Sequence, residues 1–128
     1  MTYNKGEIME VLLVIGKILF AYLFVTSGIN HFKNVDAMTG YAQYKKLPLA
    51  KPMVLLSGVL LVVAPILVIF GVVEILALAS LAVFLLLTAF IFHPYWKETD
   101  PNTKMNEMIA FNKEISLLGA ILALIALI

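Results

Sequence analysis

The chain has 128 residues, of which 62% are hydrophobic and 13% charged, and its mean hydropathy is +1.02. That composition excludes an ordinary soluble domain and makes the chain an integral membrane protein, with the lipid bilayer as its first partner. The absence of cysteine excludes thiolate catalysis and thiolate-held metal or iron–sulfur centres within the chain, and a net charge of +1 without a single arginine points away from nucleic acid and bidentate phosphate recognition.

A crossing needs about 20 apolar residues, and the sequence holds runs that predict spans over about 8–31, 53–70, 73–92 and 110–128. The expected fold class is therefore an all-α membrane protein: a four-transmembrane-helix bundle forming one domain over residues 1–128, with a short interfacial segment between helices 1 and 2. Residues 1–7 read as a polar lead, and the following run as a retained helix. It is too long for a signal peptide, carries a lysine and lacks a convincing small-residue cleavage site.

That lysine, Lys17, is the first candidate functional residue. A charge at membrane depth costs at least about 2.5–3.5 kcal/mol, so it must snorkel, sit at a helix end or face a polar bundle interior. At 100° per residue, Ala21, Phe24, Gly28 and His31 share its face, whereas Ile15, Leu19, Tyr22 and Leu23 form a bulky lipid-compatible flank. The Lys17 stripe is predicted to face the other helices and to pair with an acid. Glu74, at the start of the third span, lies at the better height than Glu114.

The connection at 32–51 has Asp36 as a candidate N-cap and Met38, Tyr41, Ala42 and Tyr44 at near-helical spacing, consistent either with an interfacial helix or with a tethered loop. In the second span Pro65 removes one backbone hydrogen bond, and Gly71 marks a tight turn into the third. The polar stretch 93–108 places Tyr95 and Trp96 at the height of an aromatic belt. The last uninterrupted apolar run, 115–128, is short for a bilayer, which draws Asn112, Lys113 and Glu114 toward the hydrocarbon. Asn112, Ser116, Gly119, Ala123 and Ala126 also share a small-residue face suited to close helix contact.

Seven of the nine lysines lie on or beside the two longer loops, so the positive-inside rule puts those loops in the cytoplasm and both termini outside a prokaryotic-type cell membrane. His31, His93, Trp96, Asn112, Lys113 and Glu114 are expected to converge at that mouth. Two histidines without a matching third ligand do not make a metal signature, so no metal is expected.

Several short motifs carry a resemblance to a known family. They are Lys17 with Gly28-Ile29-Asn30-His31-Phe32, then Met38-Thr39-Gly40-Tyr41-Ala42, Ser57-Gly58, His93-Pro94-Tyr95-Trp96, and Phe111-Asn112-Lys113-Glu114 leading into Leu118-Gly119-Ala120. With these the chain resembles the DoxX family of small four-helix membrane proteins from about residue 16 onward. It departs from the family pattern in having Lys17 where many relatives have arginine, no acid beside Ser57-Gly58, and Lys113-Glu114 in place of Lys-Asn. The resemblance implies two functional readings. One is a subunit supporting a quinone-linked redox complex with a redox partner protein at the loops, for which the polar stripe and mouth read from the residues offer Lys17, His31, His93, Trp96, Asn112, Lys113 and Glu114 to hold a quinone or lipid. The other is a non-enzymatic, chaperone-like assembly module or homo-oligomer. No self-contained catalytic motif is present, so any enzymatic role is that of an accessory subunit.

Overall fold

Asn4 accepts a hydrogen bond from the backbone N–H of Gly6 at 2.9 Å and so starts the first helix of the computed structural model, which describes residues 4–128. The first three residues of the expected polar lead lie outside that range. This helix, α1, runs Lys5–Lys33; α2 follows at Val35–Tyr44, α3 at Ala50–Phe70 and α4 at Glu74–Phe92. A single 3-10 turn at Tyr95–Lys97 leads to α5, Pro101–Leu127. Four of these segments, α1, α3, α4 with its 3-10 turn, and α5, are long and apolar enough to cross a membrane. The expected four-helix bundle is therefore the observed one.

Two boundaries differ from the sequence reading. The interfacial segment is a helix, but its cap is Asn34 and Asp36 falls in its first turn. The fourth helix begins at Pro101 instead of near residue 110: Asp100 accepts from the Thr103 backbone N–H at 3.0 Å, and proline at the first helical position lacks a donor that would be orphaned there anyway. The tight turn at Gly71 is as expected. Its φ of 68° is a left-handed conformation that glycine adopts without a Cβ clash.

The central element is α3, which packs against α1, α2 and α4, while α5 lies along α4 and the 3-10 turn. The core joins Phe24 of α1, Leu61 and Val68 of α3, Leu78 and Leu81 of α4, and Ile121 of α5. Between helices in lipid the attraction is mainly close packing, and small residues let backbones approach. Gly28 and Gly58 do this where α1 crosses α3. A Cβ on Gly28 would lie 2.9 Å from the Gly58 carbonyl oxygen and 2.7 Å from Val62 Cγ2, and one on Gly58 would lie 2.9 Å from His31 Cβ.

Candidate functional site

The face predicted for α1 is the buried one: Ala21, Phe24, Gly28 and His31 are its buried residues, while Ile15, Leu19 and Tyr22 are exposed. Lys17, on the same stripe, pairs with Glu74 of α4, its Nζ 2.5 Å from Oε1, with side chains only 12% and 15% exposed. The ammonium is matched one-to-one at the end of the bundle that carries the α3–α4 turn. Lys17 therefore stands apart from the other candidates.

At the opposite end, between α1, α3, α4 and α5 and roofed by α2, is a cavity of about 350 Å³. Its walls are chiefly apolar, with Phe24, Leu61, Phe84 and Leu117 among them, and its polar lining comes from His31, Ser57, Thr88, His93, Lys113 and Glu114. The roof is held by Tyr41. Its hydroxyl is 3.0 Å from the carbonyl oxygen of Phe92 and its ring stacks on that of Phe92 at 5.8 Å. Burial first, and then the Glu107 carboxylate, push the Tyr41 phenol well above its ordinary pKa, so it stays protonated.

Two polar groups of different character meet the cavity. On the α1–α3 side, His31 Nδ1 lies 3.0 Å from the Val54 carbonyl and 3.0 Å from Ser57 Oγ, and Ser57 donates to the same carbonyl at 2.9 Å. A carbonyl only accepts, so Nδ1 carries the proton and a neutral His31 keeps Nε2 as an acceptor. On the α4–α5 side, His93 Nδ1 is 2.9 Å from Glu107 Oε2, and Nε2 is 3.4 Å from Glu114 Oε1. Thr88 Oγ1 is 2.9 Å from Glu114 Oε2, and the Tyr41 hydroxyl is 3.3 Å from Glu107 Oε1.

Of the residues expected to converge, the fold thus brings His31, His93, Lys113 and Glu114 to one cavity. Trp96 lies outside it, half-exposed in an aromatic cluster with Phe90, Tyr95 and Phe111 at ring separations of 5.2–6.0 Å. Asn112 is exposed and among the described residues makes no side-chain hydrogen bond. It points about 160° away from Glu114 by helical geometry, with Ser116, Gly119, Ala123 and Ala126 on its exposed stripe. Among the described residues, the interhelical side-chain bonding of this segment comes from Glu114. Glu107 and the roofing role of Tyr41 were not foreseen. The available signal was the Glu107–Glu114 spacing of two helical turns, which becomes visible once Asp100-Pro101 is recognised as the start of α5.

Residues 12–94, more than half of the chain, match the DoxX family. The chain belongs to the DoxX family. No curated protein and no solved structure matches it. The DoxX match takes in α1 from residue 12, α2, α3 and α4 with His93, so the His31–Ser57 group lies within it, whereas Glu107 and Glu114 of α5 lie beyond it.

Proposed function

We propose that this multi-pass DoxX-family membrane protein supports a quinone-linked redox complex, holding a quinone-type or other lipid-like molecule in the cavity beneath α2 while a separate protein carries the electrons. The observation that carries this reading is the cavity itself, apolar along most of its wall and polar where His31, Ser57, Thr88, His93, Lys113 and Glu114 meet. A tail gains from apolar burial and a head from hydrogen bonds. The polar groups favour one redox form of such a head. His31 Nε2, Ser57 Oγ and the Glu114 carboxylate are acceptors, so the hydroxyls of a quinol find more partners than the carbonyls of a quinone, for which Lys113 is the available ammonium donor. Trp96, Asn112 and Lys17 have no part in this site.

The experiment is purification from native membranes in mild detergent, with mass spectrometry of copurifying lipids, quinones and proteins, and titration of the purified protein with a short-chain benzoquinol. His31→Leu and Ser57→Ala should each weaken that binding about tenfold, the worth of one hydrogen bond to a desolvated head. Unchanged affinity in both variants, with nothing lipid-like copurifying, overturns the reading.

One observation favours a second reading, that of an assembly module: the exposed stripe of Asn112, Ser116, Gly119 and Ala123 on α5, which suits a helix of another membrane protein or of a second copy. A partner crosslinked through Gly119→Cys would support it. The lysine bias orients the α2 loop and the α4–α5 loop toward the cytoplasm, and a reporter fused after Ile128 should accordingly read as external.

A further inference from the structure

Glu107 and Glu114 are separated by about 10 Å along one face of α5, and His93 at the end of α4 spans the gap with its two ring nitrogens. Such an arrangement can be a static ion pair that ties α4 to α5. Two further contacts distinguish it from one. The Thr88 hydroxyl lies 2.9 Å from Glu114 but also 3.2 Å from the Leu85 carbonyl, and the Tyr41 hydroxyl lies 3.3 Å from Glu107 but also 3.0 Å from the Phe92 carbonyl. Each carboxylate therefore has a hydroxyl with a second acceptor in reach. When the carboxylate is charged the hydroxyl donates to it; when it is protonated the hydroxyl turns to the carbonyl and accepts the new carboxylic proton. Neither state of either acid leaves a buried donor orphaned.

We propose that Glu107, His93 and Glu114 form a proton relay joining the loop side of the bundle to the polar end of the cavity. Glu114 and His93 line the cavity and Glu107 does not, so the three residues run from outside it to inside. In one transfer the Glu107 carboxyl gives its proton to His93 Nδ1 as the Nε2 proton passes to Glu114 Oε1. This leaves Glu107 as carboxylate, His93 neutral and Glu114 as the acid. The proton then stands at the cavity, where a ligand oxygen or water can take it, and the reverse sequence carries a proton outward. Among the described residues, charged or titratable groups near the relay include Lys113 of α5 and His31 of α1 at the cavity, and Tyr41 and Lys45 on the α2 side. Glu98 is held 3.7 Å from Lys45 Nζ.

The relay concerns the same cavity as the function proposed above but does not depend on its occupant, so it is tested without ligand. In lipid nanodiscs the carboxyl stretch of Glu114, assigned by its loss in Glu114→Gln, is followed by infrared spectroscopy after a pH jump. Glu107→Gln, which keeps the shape and hydrogen bonding of the side chain, should slow protonation of Glu114 at least about tenfold, as expected when a positioned proton donor is removed. Glu107→Asp should restore most of the rate, and His93→Phe should slow it as much as Glu107→Gln. Wild-type rates in Glu107→Gln, or a Glu114 that never protonates while the protein stays folded, overturn the proposal. If His93→Phe fails to fold, the Gln and Asp variants of Glu107 decide alone.

Discussion

At one end of the bundle Lys17 and Glu74 cancel each other across α1 and α4; at the other, two carboxylates of α5 share a single histidine of α4. The first arrangement is closed, since a cation and an anion in contact leave nothing for a third group to do. The second has more proton-accepting positions than protons when His93 is neutral, and it borders the cavity beneath α2, which neither Lys17 nor Glu74 lines. Buried charge thus serves two purposes within one small fold. Matched, it fastens helices together; mismatched beside a cavity, it supplies chemistry.

The matched end should be the more sensitive to a broken partnership. Lys17→Met leaves Glu74 mostly buried and unpaired, an expected loss of about 3–5 kcal/mol, and adding Glu74→Gln should recover most of it. Reversible unfolding in lipid–detergent mixtures would measure both. Equal instability of the single and double variants would mean that the pair contributes no partnership to break. Between the two ends, Gly28→Ala pushes a methyl into the Gly58 carbonyl and Val62. Overpacking of this kind costs about 1–3 kcal/mol, and here it should loosen both ends together.

At the mismatched end, Tyr41→Phe removes one hydroxyl from Phe92 and Glu107. A loss of about 1 kcal/mol is expected, visible as faster amide exchange in α2 with no change at Lys17. The smallest effect concerns the start of α5. The Thr103 backbone N–H, helped by its hydroxyl, holds the Asp100 carboxyl below its ordinary pKa of 3.8. Because its pKa falls on folding, Asp100 stabilises the helix fully above that value and loses its contribution as pH drops through the lower, folded one. Asp100→Asn keeps a capping oxygen, so α5 helicity should be unchanged at neutral pH and less sensitive to acid. Identical acid titrations of the two proteins would exclude this role.

The α1 stripe was legible in the sequence because a lysine in an apolar run is costly enough to reveal which way a helix faces, and three small or polar residues, Ala21, Gly28 and His31, followed it at helical spacing. The choice of Glu74 followed from rise per residue. In α5 beyond Glu114 the contrast is weak, and the small-residue face of Ser116, Gly119, Ala123 and Ala126 that suggested close contact within the bundle is exposed. The rotation that buries Ile121 and turns Asn112 outward is set by packing on α4, a long-range contact that the pattern of residues within α5 does not encode. Glu107 escaped notice because a stretch rich in asparagine, lysine and threonine reads as loop until its cap is recognised. The roof formed by α2 depends on Tyr41 meeting a carbonyl of α4 far along the chain, a contact no local pattern encodes.

The ring cluster of Phe90, Tyr95, Trp96 and Phe111 has an optical consequence. Trp96 is the single tryptophan of the chain and is 48% exposed on the seam between the 3-10 turn and α5. Intrinsic emission excited at the red edge therefore comes from this corner alone. A shift in its wavelength on adding a ligand or changing pH reports movement beside His93 and is blind to events at Lys17, so the unmodified protein already carries a fluorophore at the end of the bundle where change is expected.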